Sequence, residues 1–233
     1  MGRVTVVGGK VGMEAPVTYD PVFANNSWEA VIEACQKNKV PVTWVVGDQK
    51  TMTINGKDYQ IDIIGKNHDV YSDGFGTAPL TFQLHDLYTN GSMNTSETNS
   101  GGWASCNMRK TTLPNILALL PSEVQAGIKE VNKLTSAGSK QSTINTTADK
   151  LFLLSEIEVF GTATQSFSGE GAQYDYYKAG NSKKKKYNGS DCYWMERSPC
   201  KTSTTTFCNV SFSGGSAGSN NGYGTYICFA FCF

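Results

Sequence analysis

Thr51-Met52-Thr53-Ile54-Asn55-Gly56-Lys57-Asp58-Tyr59-Gln60-Ile61-Asp62-Ile63-Ile64 is the most legible stretch of the chain. Two alternating runs flank Asn55-Gly56, a dipeptide that tolerates positive φ at both central positions of a type I′ turn. A two-residue turn sets Met52 opposite Tyr59. It also places Met52 on the face shared by Ile54, Ile61 and Ile63. This hairpin makes the fold one with antiparallel sheet.

Outward from the hairpin, other elements follow. Ser27 reads as the N-cap of a helix whose face is Trp28, Val31, Ile32 and Cys35, with Asn38 ending it. Val4, Val6 and Val7 suit a short strand, and Pro16 and Pro21 punctuate an extended lead-in. On the C-terminal side, residues 72–79 read as a loop, Leu80, Phe82 and Leu84 as a strand, and 93–102 as irregular. Ser122 and Gln125 form a capping-box pattern after Pro121. Val124, Ile128, Val131 and Leu134 then suit one face of a second helix closed by Gly138. Residues 151–154 read as a buried strand. Residues 181–188, with Lys183 to Lys186, read as an exposed loop. Ile227, Phe229, Phe231 and Phe233 alternate as a terminal strand with one apolar face. Short antiparallel sheets, two main helices and long irregular loops make an α+β fold.

The chain has 233 residues, so one elaborated domain fits its length. Lys+Arg and Asp+Glu are both 20, and this balance argues against nucleic acid as a partner. Apolar runs are too short to span a bilayer. Residues 1–12 lack a long apolar run, so no secretory signal peptide is expected, and Val6 breaks the myristoylation pattern. Seven cysteines without a CxxC pair, and two histidines, supply a zinc site poorly. The thiols are expected to be mostly reduced and buried, with one bridge among Cys192, Cys200 and Cys208 left open. No cofactor or metal is expected.

Chemistry-bearing candidates are few. His68-Asp69 and His85-Asp86 would each pair a base with a carboxylate, yet spacing ties no nucleophile to either. The lysine run suits an anionic partner such as phosphate, but reads better as a solvated loop. Cys228 and Cys232 suit a redox or copper pair, but read better as part of a buried face. Trp194 reads as core, and Arg197 as a buried fork pinned to a carboxylate.

Several longer motifs carry a family resemblance. They are Trp44-Val45-Val46-Gly47-Asp48, Ile64-Gly65-Lys66-Asn67-His68-Asp69, Met93-Asn94 with Gly101-Gly102-Trp103, and Met108-Arg109. Further along are Leu151-Phe152-Leu153-Leu154-Ser155-Glu156, Glu170-Gly171-Ala172-Gln173-Tyr174, Tyr176-Tyr177, Glu196-Arg197-Ser198-Pro199 and Phe231-Cys232. From about Asn26 onward the chain resembles a domain-of-unknown-function family of gut Firmicutes and their tailed phages. The resemblance implies a C-type-lectin-like fold akin to formylglycine-generating enzymes. It also implies a likeness to variable proteins of diversity-generating retroelements, in which C-terminal Asn, Ser, Tyr and Thr positions change the ligand. Trp103 joins Trp194 and Arg197 as structural residues. Met195 stands where the family often has a second Trp, and the lysine run is unusual.

Residues 1–25 are therefore expected to be an N-terminal attachment segment, and 26–233 the lectin-like domain. From residue 198 to the end, Lys201 is the only charged side chain, and Tyr, Ser, Gly and Asn are plentiful. That composition suits adaptable recognition. The expected ligand-binding residues are Tyr193, Met195, Glu196, Lys201, Thr202, Ser203, Thr204, Asn209, Ser211, Ser219, Asn220, Tyr223, Thr225 and Tyr226. The expected function is non-enzymatic: a phage or phage-derived virion protein, made in the bacterial cytoplasm, binding a bacterial surface protein or glycan. Its other partners would be virion subunits, reached through residues 1–25, and further copies of itself in a homo-oligomer. The alternatives are a structural virion component without receptor binding, and a formylglycine-generating-type oxidase using Cys228 and Cys232.

Overall fold

The structure is a computed structural model, and it describes residues 18–222 and 224–233. The expected strand at Val4 to Val7 lies outside those residues. A 3-10 turn, Phe23–Asn25, leads into α1, Trp28–Gln36. The Ser27 side chain accepts from the Ala30 N–H, and Asn38 leaves the helix at φ 51°. The hairpin forms as its alternation requires. β1, Gln49–Ile54, pairs with β2, Lys57–Gly65, with Met52 opposite Tyr59. Asn55 and Gly56 take φ 48° and 77°, the positive values of a primed turn.

β3, Thr81–Leu84, and β4, Asn90–Gly91, follow. Then come α2, Gly102–Ser105, a π-helical turn at Met108–Thr112, and α3, Leu113–Leu117. α4, Ser122–Gly127, leads to β5, Val131–Gly138, β6, Gln141–Asp149, and β7, Leu151–Phe152. α5, Glu156–Phe160, and α6, Asp175–Lys178, precede β8, Lys185–Tyr187, and β9, Ser190–Cys192. The C-terminal strands are β10, Trp194–Pro199, β11, Thr206–Val210, β12, Ser216–Asn220, β13, Thr225–Tyr226, and β14, Ala230–Cys232. They assemble into two five-stranded sheets, β1-β2-β3-β14-β7 and β12-β11-β10-β13-β4, and two hairpins, β5-β6 and β8-β9. Among the described residues every strand pairing is antiparallel except β10 with β13, so the fold is α+β with short antiparallel sheets.

The second long helix does not form. It stops at Gly127, and Val131 to Gly138 continue as strand β5. Val131, Lys133 and Thr135 turn inward with period two, which overrides the helical spacing of the apolar residues. No capping box forms there either. Pro121 is the N-cap, and the Gln125 side chain donates to the carbonyls of Ala118 and Leu120. The terminal strand is buried on both faces, Phe231 packing on Phe82 and Phe233 while the adjacent Cys232 meets Asp69 and Thr81. Phe231 sits opposite Phe82, and their rings stack at 5.3 Å.

The lead-in does not stay apart from the domain. Phe23 is buried against Trp28, Trp44 and Phe82, and the Trp44 indole donates to the Asp20 carbonyl. The packed body therefore extends N-terminal to Asn26. Residues 181–188 are no open loop, since β8 takes up Lys185 to Tyr187. Lys185 is buried, its ammonium donating to the carbonyls of Leu84 and His85, while Lys184 pairs with Asp191.

A buried charge network ties the layers together. Arg197 on β10 donates to both carboxylate oxygens of Glu158 on α5, to Thr135, and to the carbonyls of Leu153, Leu134 and Glu170. Lys133 on β5 meets Asp69 and Glu158, each at 2.7 Å. Burial pushes the Asp69 and Glu158 carboxyls up, but Lys133 beside Asp69, and Arg197 and Lys133 beside Glu158, outweigh it. Asp69 falls to about 2, and Glu158 is also lowered. Trp103 is likewise structural, its indole donating to Asp149. Trp103, Trp194 and Arg197 are all fully buried.

Candidate functional site

The strands β10, β11 and β12 carry five of the expected binding residues and the segments flanking them carry the rest, and the strand register sorts those within the described residues into three groups. Trp194, Val210 and Ser216 align at one end, Pro199, Phe207 and Ser219 towards the other. Thr206 to Val210 is four steps, or about 13 Å at ~3.3 Å per residue. The two ends are separate surfaces.

The first group is buried between them. Met195 and Glu196 on β10, Asn209 on β11, Ser211 just past it and Thr225 on β13 are all removed from solvent. They are corrected from binding residues to interior ones. Asn209 donates to Ser219, itself half-buried on β12, and Thr225 to the Gly222 carbonyl. The Ser211 hydroxyl accepts from Gly215 N–H. Neither oxygen of Glu196 has a hydrogen-bond partner, and burial drives its carboxyl well above the usual range, with Glu156 and Glu170 adding to the rise.

The second group is a polar end. Thr202, Thr204 and Asn220 are exposed, and Lys201 and Ser203 are half-buried. Tyr223 lies outside the described residues. Asn99 fixes this end from beneath, its side chain donating to the carbonyls of Ser203 and Thr206 and accepting from Ser139 N–H. Asn221 exchanges hydrogen bonds with the backbone of Asn94. The Thr205 and Thr206 hydroxyls both donate to the side-chain amide oxygen of Asn220. Side-chain amides of Asn99, Asn220 and Asn221 thus tie down a segment rich in small polar residues.

The third group is an aromatic end. Tyr193 packs edge-on against Phe212, with ring centroids 5.4 Å apart and the Phe212 ring half exposed. Tyr226 lies beside Tyr187 at 4.6 Å, and its N–H donates to the Tyr193 carbonyl. Tyr59 and Tyr88 form a third pair at 5.4 Å. The Lys57 ammonium lies 5.1 Å from the Tyr59 ring and 5.9 Å from the Tyr187 ring, joining two of the pairs by cation–π contact. All these tyrosines keep part of their surface in solvent.

A family profile described as a domain of unknown function, DUF6273, matches residues 80–231. The chain belongs to the DUF6273 family. The DUF6273 match contains both ends of β10–β12, whereas the hairpin bearing Lys57 and Tyr59 precedes it. No curated protein and no solved structure matches the chain.

Only Tyr193 and Tyr226 of the aromatic end were legible as binding residues. Lys57, Tyr59, Tyr88, Tyr187 and Phe212 were missed. Asn188-Gly189 repeats the turn dipeptide of the first hairpin, with φ 48° and 85°, and would have marked β8-β9 and Tyr187.

The other candidates occupy different places. The His68 ring stacks on Tyr174 at 4.0 Å, while the carboxylate of Asp69 is engaged by Lys133, Thr81 and Tyr174. His85 pairs with Asp62 at 2.9 Å rather than with Asp86, and that hydrogen bond raises its pKa. Cys228 and Cys232 are fully buried. Burial pushes the first thiol up to about 11 and the second well above its ordinary value, which is the reverse of activation. Among the described residues no group of three or more His, Cys, Asp or Glu is arranged to hold a metal ion.

Proposed function

We propose that this protein is a non-enzymatic recognition module with a C-type-lectin-like domain, part of a phage or phage-derived virion. It binds a bacterial surface protein or glycan through the aromatic end of β10–β12. The observation that carries this reading is the clustering of Tyr193, Phe212, Tyr187 and Tyr226, with Lys57 and Tyr59, at one sheet end. Partly exposed tyrosines offer large contact area at small entropy cost, and their hydroxyls still hydrogen-bond. The β-scaffold beneath supplies rigidity, so little ordering free energy is lost on binding. The raised, buried thiols favour this reading over an oxidase. The N-terminal segment, expected over residues 1–25, would provide attachment to other virion subunits, and assembly into a homo-oligomer would add avidity.

Tyr193→Ala and Tyr226→Ala test the reading. Each should weaken binding of the protein to host cells by tenfold or more, the scale of a buried aromatic anchor at about 2 kcal/mol. Thermal midpoints should stay close to that of the parent chain. Undiminished cell binding by both correctly folded variants would remove the aromatic end from consideration.

A further inference from the structure

Two thiols at the root of the polar end lie close enough to react. Cys200, one residue beyond β10, and Cys208, on β11, place their sulfurs 3.5 Å apart. Both are buried. Cys200 N–H donates to the Thr206 carbonyl, which fixes the strand end that carries the first sulfur. Gly218 on β12 sits directly opposite Cys208, and a Cβ there would come within 3.0 Å of the Cys200 sulfur. The missing side chain makes the space in which the two sulfurs meet. Among the described residues this is the only pair of cysteines in hydrogen-bonding contact. Cys106 and Cys228 instead donate to backbone carbonyls, and Cys232 to Asp69 and Thr81.

We propose that Cys200 and Cys208 form a modification site, a dithiol closed to a disulfide by exchange with a low-molecular-weight disulfide. The Cys200 thiolate attacks one sulfur of the small disulfide, breaking its S–S bond and releasing one small thiolate. The Cys208 thiolate then attacks the Cys200 sulfur of the mixed disulfide and expels the second small thiolate. The two protein thiols lose two electrons and two protons, and both end on the two small thiols. Cys200 is the attacking residue, because it begins the loop bearing exposed Thr202 and Thr204, whereas Cys208 lies within β11, flanked by β10 and β12. The bridge closes residues 201–207, the loop bearing Thr202, Ser203 and Thr204, into a covalent ring. The inference concerns the chain alone and stands apart from the recognition reading.

The full chain is incubated with excess oxidised glutathione, quenched with acid, digested with trypsin and analysed by mass. Trypsin cuts after Arg197 and Lys201, so a closed bridge joins peptide 198–201 to peptide 202–233 with the loss of two hydrogens. The joined peptide should appear in the parent chain and vanish in Cys200→Ser and Cys208→Ser. Cys228→Ser and Cys232→Ser should retain it, which assigns the partner on the longer peptide. Oxidised protein nicked at Lys201 should also run as one species on a denaturing gel until reductant is added. The proposal is overturned if no joined peptide forms in the folded chain after prolonged incubation with the oxidised glutathione. It is also overturned if the link survives Cys208→Ser.

Discussion

Glu196 shows how one buried side chain sets a pH dependence. Its neutral form is favoured in the folded chain, whereas in the unfolded chain it ionises near the ordinary value of about 4.3. Above that pH the unfolded state holds fewer protons than the folded one, so stability falls as pH rises. The limiting slope is about 1.4 kcal/mol per pH unit. Glu196→Gln replaces the protonated carboxyl by a neutral isostere that does not titrate. The variant should match the parent chain near pH 4 and exceed it at pH 8, as read from urea midpoints across that range. A variant less stable than the parent at pH 8 would mean that the Glu196 carboxylate is ionised and partnered in the fold. Asp69 and Glu158 have the opposite sign, since lowered carboxyls lose their contribution as pH falls through the acid range. Both are present in the two proteins and cancel in the comparison. The sequence could not announce any of this. Glu196 stands beside Arg197, and only the alternation of a central strand sends one to Glu158 and leaves the other without a partner.

The elements that were legible are those whose turn chemistry and periodicity agree. Asn55-Gly56 between alternating runs fixed a hairpin register that tertiary packing had no reason to alter. The β5-β6 hairpin was invisible because its turn uses Ser139 and Lys140 at φ 50° and 64°, residues that rarely take such values. Inward-facing Lys133 and Thr135 further hid its period, since their burial depends on Asp69, Glu158 and Arg197 far along the chain. Two glycines separate local turn preference from tertiary fit. Gly56 at φ 77° has open space within 4 Å of where a Cβ would stand, so Gly56→Ala should cost only the backbone term of about 1–2 kcal/mol. A Cβ at Gly138 would lie 1.8 Å from the Asn99 carbonyl oxygen. Gly138→Ala must push apart β5 and the segment that holds the polar end, and should cost more than twice as much. Denaturant unfolding of both variants checks the order, and equal losses would mean that Asn99 can move freely.

At the scale of the molecule, the family match and the packing unit have different boundaries. The match starts at residue 80, just before β3. Yet β3 pairs with β2 on one side and β14 on the other, and Phe82 packs on Phe23 and Trp28 as well as Phe231. Asp69, also outside the match, balances the charge of buried Lys133. The folding reason is area. Trp28, Trp44, Met52, Ile54, Ile61 and Ile63 are all buried, and at roughly 2 kcal/mol each their removal forfeits about 12 kcal/mol. That equals the whole stability of a typical domain, about 5–15 kcal/mol. A fragment covering residues 80–233 should therefore show no cooperative urea transition and little protection of β3 and β14 amides from hydrogen exchange. The full chain should unfold in one step, because the sheet β1-β2-β3-β14-β7 joins residues from both sides of the boundary. A fragment with a sharp transition and protected β14 amides would show that the hairpin and α1 are an appendage. The aromatic end would then lose Lys57 and Tyr59 without losing its scaffold, and their share of the proposed recognition could be measured apart.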